Sequence, residues 1–367
     1  MNLLRGAALV AAMGAMTAHA ATFVYVSNAE DGNIGLYTLE KDGSLKPGER
    51  YEAGKIVMPM SVSPDRKRLF AAVRTKPFAV LTYAIDRKSG ALKQLGSGPL
   101  AESFPYIYVD KTGRFLLGAS YGANLVSVNP IGKDGKVGKP LQVIPTARNA
   151  HSIITDKTNK YAFVPHLGTD QIFQFKFDAK SGKLTANTPA TVQIKQGYGP
   201  RHIIMSGDNK FAYLLSELVA TITTLSLDPK TGLLKEESVA SFLAPDSKLQ
   251  PGAPRPTPGR NVDNDIWASD LHLTPNGKYL YAAERTSSTI GAFSVDGATG
   301  KLTYMSSTPT EPQPRGFRVD PTGKYVVVTG EKSDTISVYA ITNEGNLNLK
   351  QKYPTGKGSN WVEMVSF

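Results

Sequence analysis

Asp42-Gly43-Ser44-Leu45 is the first of seven related stretches that decide how this chain folds. The others are Ser89-Gly90-Ala91-Leu92, Asp134-Gly135-Lys136-Val137, Ser181-Gly182-Lys183-Leu184, Thr231-Gly232-Leu233-Leu234, Thr299-Gly300-Lys301-Leu302 and Glu344-Gly345-Asn346-Leu347. Successive glycines are 47, 45, 47, 50, 68 and 45 residues apart. A period in this range is that of one four-stranded propeller blade, so seven copies predict an all-β, seven-bladed propeller of antiparallel blades.

A second marker runs in step with the first: Ser63-Pro64-Asp65, Asp110-Lys111-Thr112-Gly113, Asp156-Lys157-Thr158-Asn159, Ser206-Gly207-Asp208-Asn209, Thr274-Pro275-Asn276-Gly277 and Asp320-Pro321-Thr322-Gly323. These are hairpin turns. Proline presets the first turn position and Asn or Gly tolerates positive φ at a later one. The blade after Gly199 reads most clearly, with strands expected at Arg201 to Met205, Phe211 to Ser216, Thr221 to Leu227 and Lys235 to Phe242. They are rich in β-branched and aromatic residues and bounded by turn formers. Helix is expected to be almost absent.

The run Phe23 to Leu39 begins in mid-blade, with no second marker upstream, while Trp361 to Val365 reads as a lone inner strand. Pairing the two closes the ring and removes exposed sheet edges. The interval of 68 residues holds Pro251, Pro254, Pro256 and Pro258 with Arg255 and Arg260, which predicts a surface loop over one mouth of the ring.

Arg5 precedes an apolar stretch from Gly6 to Ala18 that closes on Ala18-His19-Ala20. Residues 1–20 therefore read as a cleavable secretory signal, with 21–367 as a single propeller domain, a periplasmic location and no membrane span after cleavage. With 42 basic against 31 acidic residues the chain suits anionic ligands. Its lysines are spread through turns and form no basic run interleaved with aromatics, which argues against nucleic acid as a partner. The absence of cysteine excludes disulfides and thiol chemistry. No spacing resembles a zinc site, a calcium loop, a phosphate-cradling loop or a serine nucleophile elbow, so no metal and no cofactor are expected.

Because the blades share a register, equivalent positions can be compared within the one chain. Five residues before each second marker stand Met58, Pro105, His151, Arg201, Ser269 and Arg315, where the inner strand begins. Eleven residues after each marker's start stand Arg74, Tyr121, Leu167, Glu217, Arg285 and Glu331, after the second strand. A chain that runs down one strand and up the next returns to the end it left, so both sets are expected at the same channel mouth. For any one arginine a solvated place at that mouth is an equally good reading. The set as a whole, with His166 and Glu284 as ionisable neighbours, reads as a cluster whose members shift one another's proton affinity, able to bind an acid and move a proton. His202, adjacent to Arg201, is expected on the opposite strand face, packed within the blade. Asp270 and His272 share a face; His272 reads as structural and Asp270 as a support for the site.

Several segments resemble the seven-bladed propeller lactonases, a family that includes bacterial 6-phosphogluconolactonase and the fungal carboxy-muconate cyclase. They are Met58-Pro59, Gly199-Pro200-Arg201-His202, Asp270-Leu271-His272, Glu284-Arg285-Thr286, Gln313-Pro314-Arg315-Gly316-Phe317 and Lys332-Ser333. The resemblance implies that His151, Arg201, Glu217 and Arg285 are catalytic, matching the His, Arg, Glu and Arg of the cyclase branch. Arg74, Tyr121, His166, Glu284, Arg315 and Glu331 are then expected to bind substrate. The activity so implied is hydrolysis of an anionic sugar-acid lactone, with water activated by Glu217 or His151 and the oxyanion held by Arg201 and Arg285. A chain read as exported favours an unphosphorylated lactone. The alternatives are cycloisomerisation of a muconate-type diacid, and a non-catalytic binding propeller. The latter is suggested by Tyr25-Val26-Ser27-Asn28 and Tyr325-Val326-Val327-Val328-Thr329, which resemble the surface repeats called YVTN.

Overall fold

Each blade is built from four short strands whose alternating apolar residues face the neighbouring blades, and the chain forms seven such sheets. The computed structural model describes residues 21–255 and 257–367, so the segment read as a signal lies outside the described residues. In the blade read most clearly from sequence the strands are Pro200–Met205, Phe211–Ser216, Thr221–Leu227 and Leu234–Ser241, all antiparallel. The ring closes where the C-terminal strand Ser359–Ser366 pairs antiparallel with Thr22–Asn28 and becomes the inner strand of the first blade.

The apolar core is divided among the blade interfaces. One cluster joins Phe115 and Leu117 to Val164 and Phe175 of the next blade. Another, holding Val24 and Val26 against Val338 and Tyr353, seals the junction between first and last blades.

The two sequence markers prove to be two halves of one contact. The glycine of the first marker has φ between +70° and +87° in all seven copies. Onto it packs a residue at the start of the second strand of the preceding blade. These residues are Phe23 on Gly90, Arg68 on Gly135, Phe115 on Gly182, Tyr161 on Gly232, Phe211 on Gly300, Tyr279 on Gly345, and Tyr325 on Gly43 across the closure. A Cβ on Gly232 would lie 2.0 Å from the Tyr161 ring. Only glycine satisfies both the left-handed backbone and this approach.

The inner strands are irregular at the mouth. Pairing with the second strand shifts register between Pro200 and His202 and between Ala268 and Leu271, the signature of a β-bulge. In His151's blade the inner strand is reduced to Ile154–Thr155, preceded by an isolated bridge between Ala150 and His166. These breaks decide which side chains reach the axis.

Candidate active site

Glu217 follows the strand Phe211–Ser216 and points into the mouth, where two arginines from different blades meet it. Arg201 Nε donates to Glu217 Oε2 at 2.7 Å, and Arg285 Nη2 donates to the same oxygen at 3.1 Å. All three are buried, Arg201 with 1% of its surface exposed. Arg201 Nη1 also donates to the Ser269 carbonyl and to His202 Nε2, and Arg285 donates to the carbonyls of Trp267 and Ala268. Among the described residues these bonds leave Arg201 Nη2 and Arg285 Nη1 without a partner, so each guanidinium keeps an unused donor edge. Burial lowers the Arg201 guanidinium to about 10, against the opposing pull of Glu217. For Arg285, burial likewise outweighs Glu217 and moves the group well below the arginine range.

His151 lies beside this cluster, its ring 5.2 Å from that of His202 and 5.8 Å from that of Tyr121. Burial and the charges of Arg201, Arg315 and Arg285 hold it well below the usual imidazole range, so it is neutral at pH 7. Among the described residues its Nδ1, which is buried, has no hydrogen-bond partner. An orphaned polar atom buried among these charges is a bond left for a ligand.

The description "Lactonase, 7-bladed beta-propeller" matches residues 15–364. The chain belongs to the seven-bladed β-propeller lactonase family. A protein named 6-phosphogluconolactonase from Serratia proteamaculans (strain 568) is 36% identical over 94% of this chain and 98% of its own length. One of the same name from Erwinia tasmaniensis is 36% identical, over 92% and 97%. Among solved structures, the periplasmic gluconolactonase PpgL of Pseudomonas aeruginosa superposes with a TM-score of 0.83 at 25% identity, covering 94% of this chain and 99% of that one.

Around the triad this lactonase carries a further basic shell. Arg315 Nη1 donates to Glu331 at 3.3 Å, while its buried Nε has no partner among the described residues. Burial would raise the Glu331 carboxyl, but Arg315 and Arg285 outweigh it and hold the group below the ordinary range. Arg74 Nε donates to Ser103 at 2.9 Å, and burial together with Arg315 lowers the Arg74 guanidinium to about 10. The long loop crosses this mouth. Tyr121 donates its hydroxyl to the Arg255 carbonyl at 2.8 Å. The Arg255 and Arg285 guanidiniums lie 3.8 and 3.6 Å from the centroid of the Trp267 ring, close enough that they must occupy its two faces.

Three expectations from sequence need correction. Glu284 is a clamp for the loop: its Oε1 accepts from the Trp267 amide at 2.6 Å, and its Oε2 from the Ser287 amide and hydroxyl. His166 is fully buried with its ring 4.4 Å from that of Phe173 and Nδ1 bonded to the Val164 carbonyl, and burial lowers it to about 4. It packs inside its blade, where no arginine charge contributes to its proton affinity. His202, expected within the blade, instead lines the axis, because the bulge at Arg201 breaks the strand's alternation and sends both neighbours inward. Its Nδ1 lies 3.0 Å from Asp270 Oδ1, and Asp270 Oδ2 lies 3.0 Å from His272 Nε2. Arg201 donating to Nε2 makes Nδ1 the protonated nitrogen of a neutral ring. Burial and Arg201 push the ring down to about 3. In sequence nothing distinguishes Trp267 from a core tryptophan.

Proposed function

We propose that this protein hydrolyses the lactone of a sugar acid at the arginine-lined mouth, and that it does so outside the cytoplasm on an unphosphorylated substrate. Supporting export are the apolar run of Gly6 to Ala18 behind Arg5 and the resemblance in fold to a protein named as a periplasmic gluconolactonase. The observation that carries the reaction is the single carboxylate oxygen of Glu217 shared by Arg201 and Arg285.

In this reading Glu217 Oε1 takes a proton from water as the water oxygen bonds to the lactone carbonyl carbon. The carbonyl oxygen becomes an oxyanion facing Arg201 Nη2 and Arg285 Nη1. Collapse of the tetrahedral intermediate breaks the bond to the ring oxygen, which receives the proton from Glu217 and leaves as the hydroxyl of the open acid. Base assistance contributes about 10²–10⁴-fold, and each oxyanion donor about 10²–10³-fold. His151 is the poorer base, because a proton there would face three guanidiniums; it orients the water or substrate as a neutral hydrogen-bonding ring. Arg315 and Arg74 hold an anionic substituent of the substrate.

The test is acid release, followed with a pH indicator near neutrality, from gluconolactone, glucaro- and galactaro-lactones and 6-phosphogluconolactone. Wild type should exceed spontaneous ring opening, Glu217→Gln should not, and the unphosphorylated compounds should be preferred. No acceleration with any of them would sink the hydrolase reading; loss of ultraviolet absorbance from a muconate-type diacid would then identify a cycloisomerase.

A further inference from the structure

The channel does not run freely through the ring. Below the mouth, the rings of Tyr106, His202 and Trp361 meet across the axis, with centroids 5.1 Å apart for Tyr106 and His202, 5.6 Å for Tyr106 and Trp361, and 6.3 Å for His202 and Trp361. On the far side of this plug lies a separate cavity of about 390 Å³. Its lining includes none of Arg201, Glu217, Arg285, Arg315 or His151. It reaches the second-marker turns at Lys111, Lys157, Gly207 and Pro275, so it opens at the opposite end of the propeller.

The chamber has an aromatic floor, apolar walls from Ile204, Leu271 and Val319, and a basic rim. The acid on its lining is already occupied, Asp270 being shared by His202 and His272, while Arg318 of the lining pairs with Glu363 beyond it at 3.1 Å. The aspartates nearest the rim lysines are spent on their own turns, Asp110 on Thr112, Arg114 and Phe115, Asp156 on Thr158, Lys160 and Tyr161. Among the described residues, neither Lys111 nor Lys157 has a carboxylate within ion-pair distance. The two ammonium groups are near enough that burial and Lys111 together lower Lys157. Two cations without a carboxylate partner, with Lys111 Nζ 5.2 Å from the centroid of the Tyr108 ring, over an aromatic-floored chamber suit an anion with a flat face.

We propose that this chamber is a second binding site, for a small cyclic organic acid whose ring lies against Tyr106 and Trp361 and whose carboxylate meets Lys111 and Lys157. A sugar ring and an aromatic ring both present such a face, and their shared chemistry is a carboxylate carried on a ring. The site does not depend on the hydrolysis reading, since the groups that would hold the acid, Tyr106, Trp361, Lys111 and Lys157, are none of those at the mouth; only His202, which Arg201 touches, borders both.

The chain has only two tryptophans, Trp267 at the mouth and Trp361 in the chamber, which makes occupancy separately readable. In Trp267→Phe protein the emission of Trp361 should change saturably on titration with glucuronate or with benzoate, the responding acid identifying the ring class. Glucose and benzamide, the uncharged counterparts, should produce no saturable change. Replacing both rim lysines, K111A with K157A, should weaken binding about tenfold or more. No saturable response to either acid, or a response untouched by the lysine substitutions, overturns the proposal. Should Trp267→Phe fail to fold, calorimetric titration of wild type against the lysine variant decides: heat lost with the lysines supports the site, and equal or absent heat refutes it.

Discussion

Tyr161 packs on Gly232 of the next blade and donates its hydroxyl to the Lys230 carbonyl at 2.7 Å, so that one turn is gripped both by ring and by hydroxyl. Placing a methyl group on Gly232 collides with that ring and forces an L-residue to φ +73°. Gly232→Ala should cost about 2–4 kcal/mol from the backbone and overpacking contributions together. Gly297→Ala, where an added Cβ meets nothing within 4 Å, should shift stability by no more than about 0.5 kcal/mol. Chemical denaturation of the two variants makes the comparison, and equal effects would show that the marker glycine is not needed for blade contact.

Arg285→Lys keeps the charge and loses the geometry. A lysine cannot span Glu217, two backbone carbonyls and the Trp267 face together. Lactone hydrolysis should fall about 10²-fold or more in kcat. Activity close to wild type would mean that simple positive charge is enough.

Arg315→Ala separates charge recognition from chemistry. The KM for a lactone carrying a carboxylate or phosphate should rise about tenfold, consistent with loss of a charge-assisted pair. The kinetics on neutral gluconolactone should stay nearly unchanged. A parallel loss on both substrate types would place Arg315 in the reaction itself.

Acid should destabilise the fold through its buried neutral histidines. His202 and His166 are lowered to about 3 and about 4 when folded. In the unfolded chain they titrate near about 6.5, so below that pH the unfolded state binds more protons and is favoured. Their full contribution is present above that value and declines as pH falls towards 4, each histidine costing about 2 kcal/mol by pH 5. The melting temperature should therefore drop between pH 7.5 and pH 5, and less steeply in His166→Phe. A flat profile in wild type would contradict the burial of both rings.

What the chain disclosed on its own were the features carried by local backbone demands. A glycine at positive φ and a Pro-Asn-Gly turn are visible wherever they recur, so the blade count, the closing strand and the inserted loop could be read from spacing alone. Register then singled out His151, Arg201, Glu217 and Arg285, because equivalent positions in a propeller share a face. Strand alternation misplaced His202, since a bulge at Arg201 adds a residue that no local pattern announces. Glu284 and His166 looked like mouth residues for the same reason: charge type is visible in sequence, but the amide of Trp267 and the ring of Phe173 that engage them are brought near only by folding. The seven-bladed ring and the level at which its ionisable residues gather are legible in the chain, as both follow from a repeated local geometry. Which of those groups share a carboxylate, and where the channel is plugged, depends on the folded ring, because Arg285 reaches Glu217 and His202 reaches Asp270 from a neighbouring blade, and packing sets those approaches.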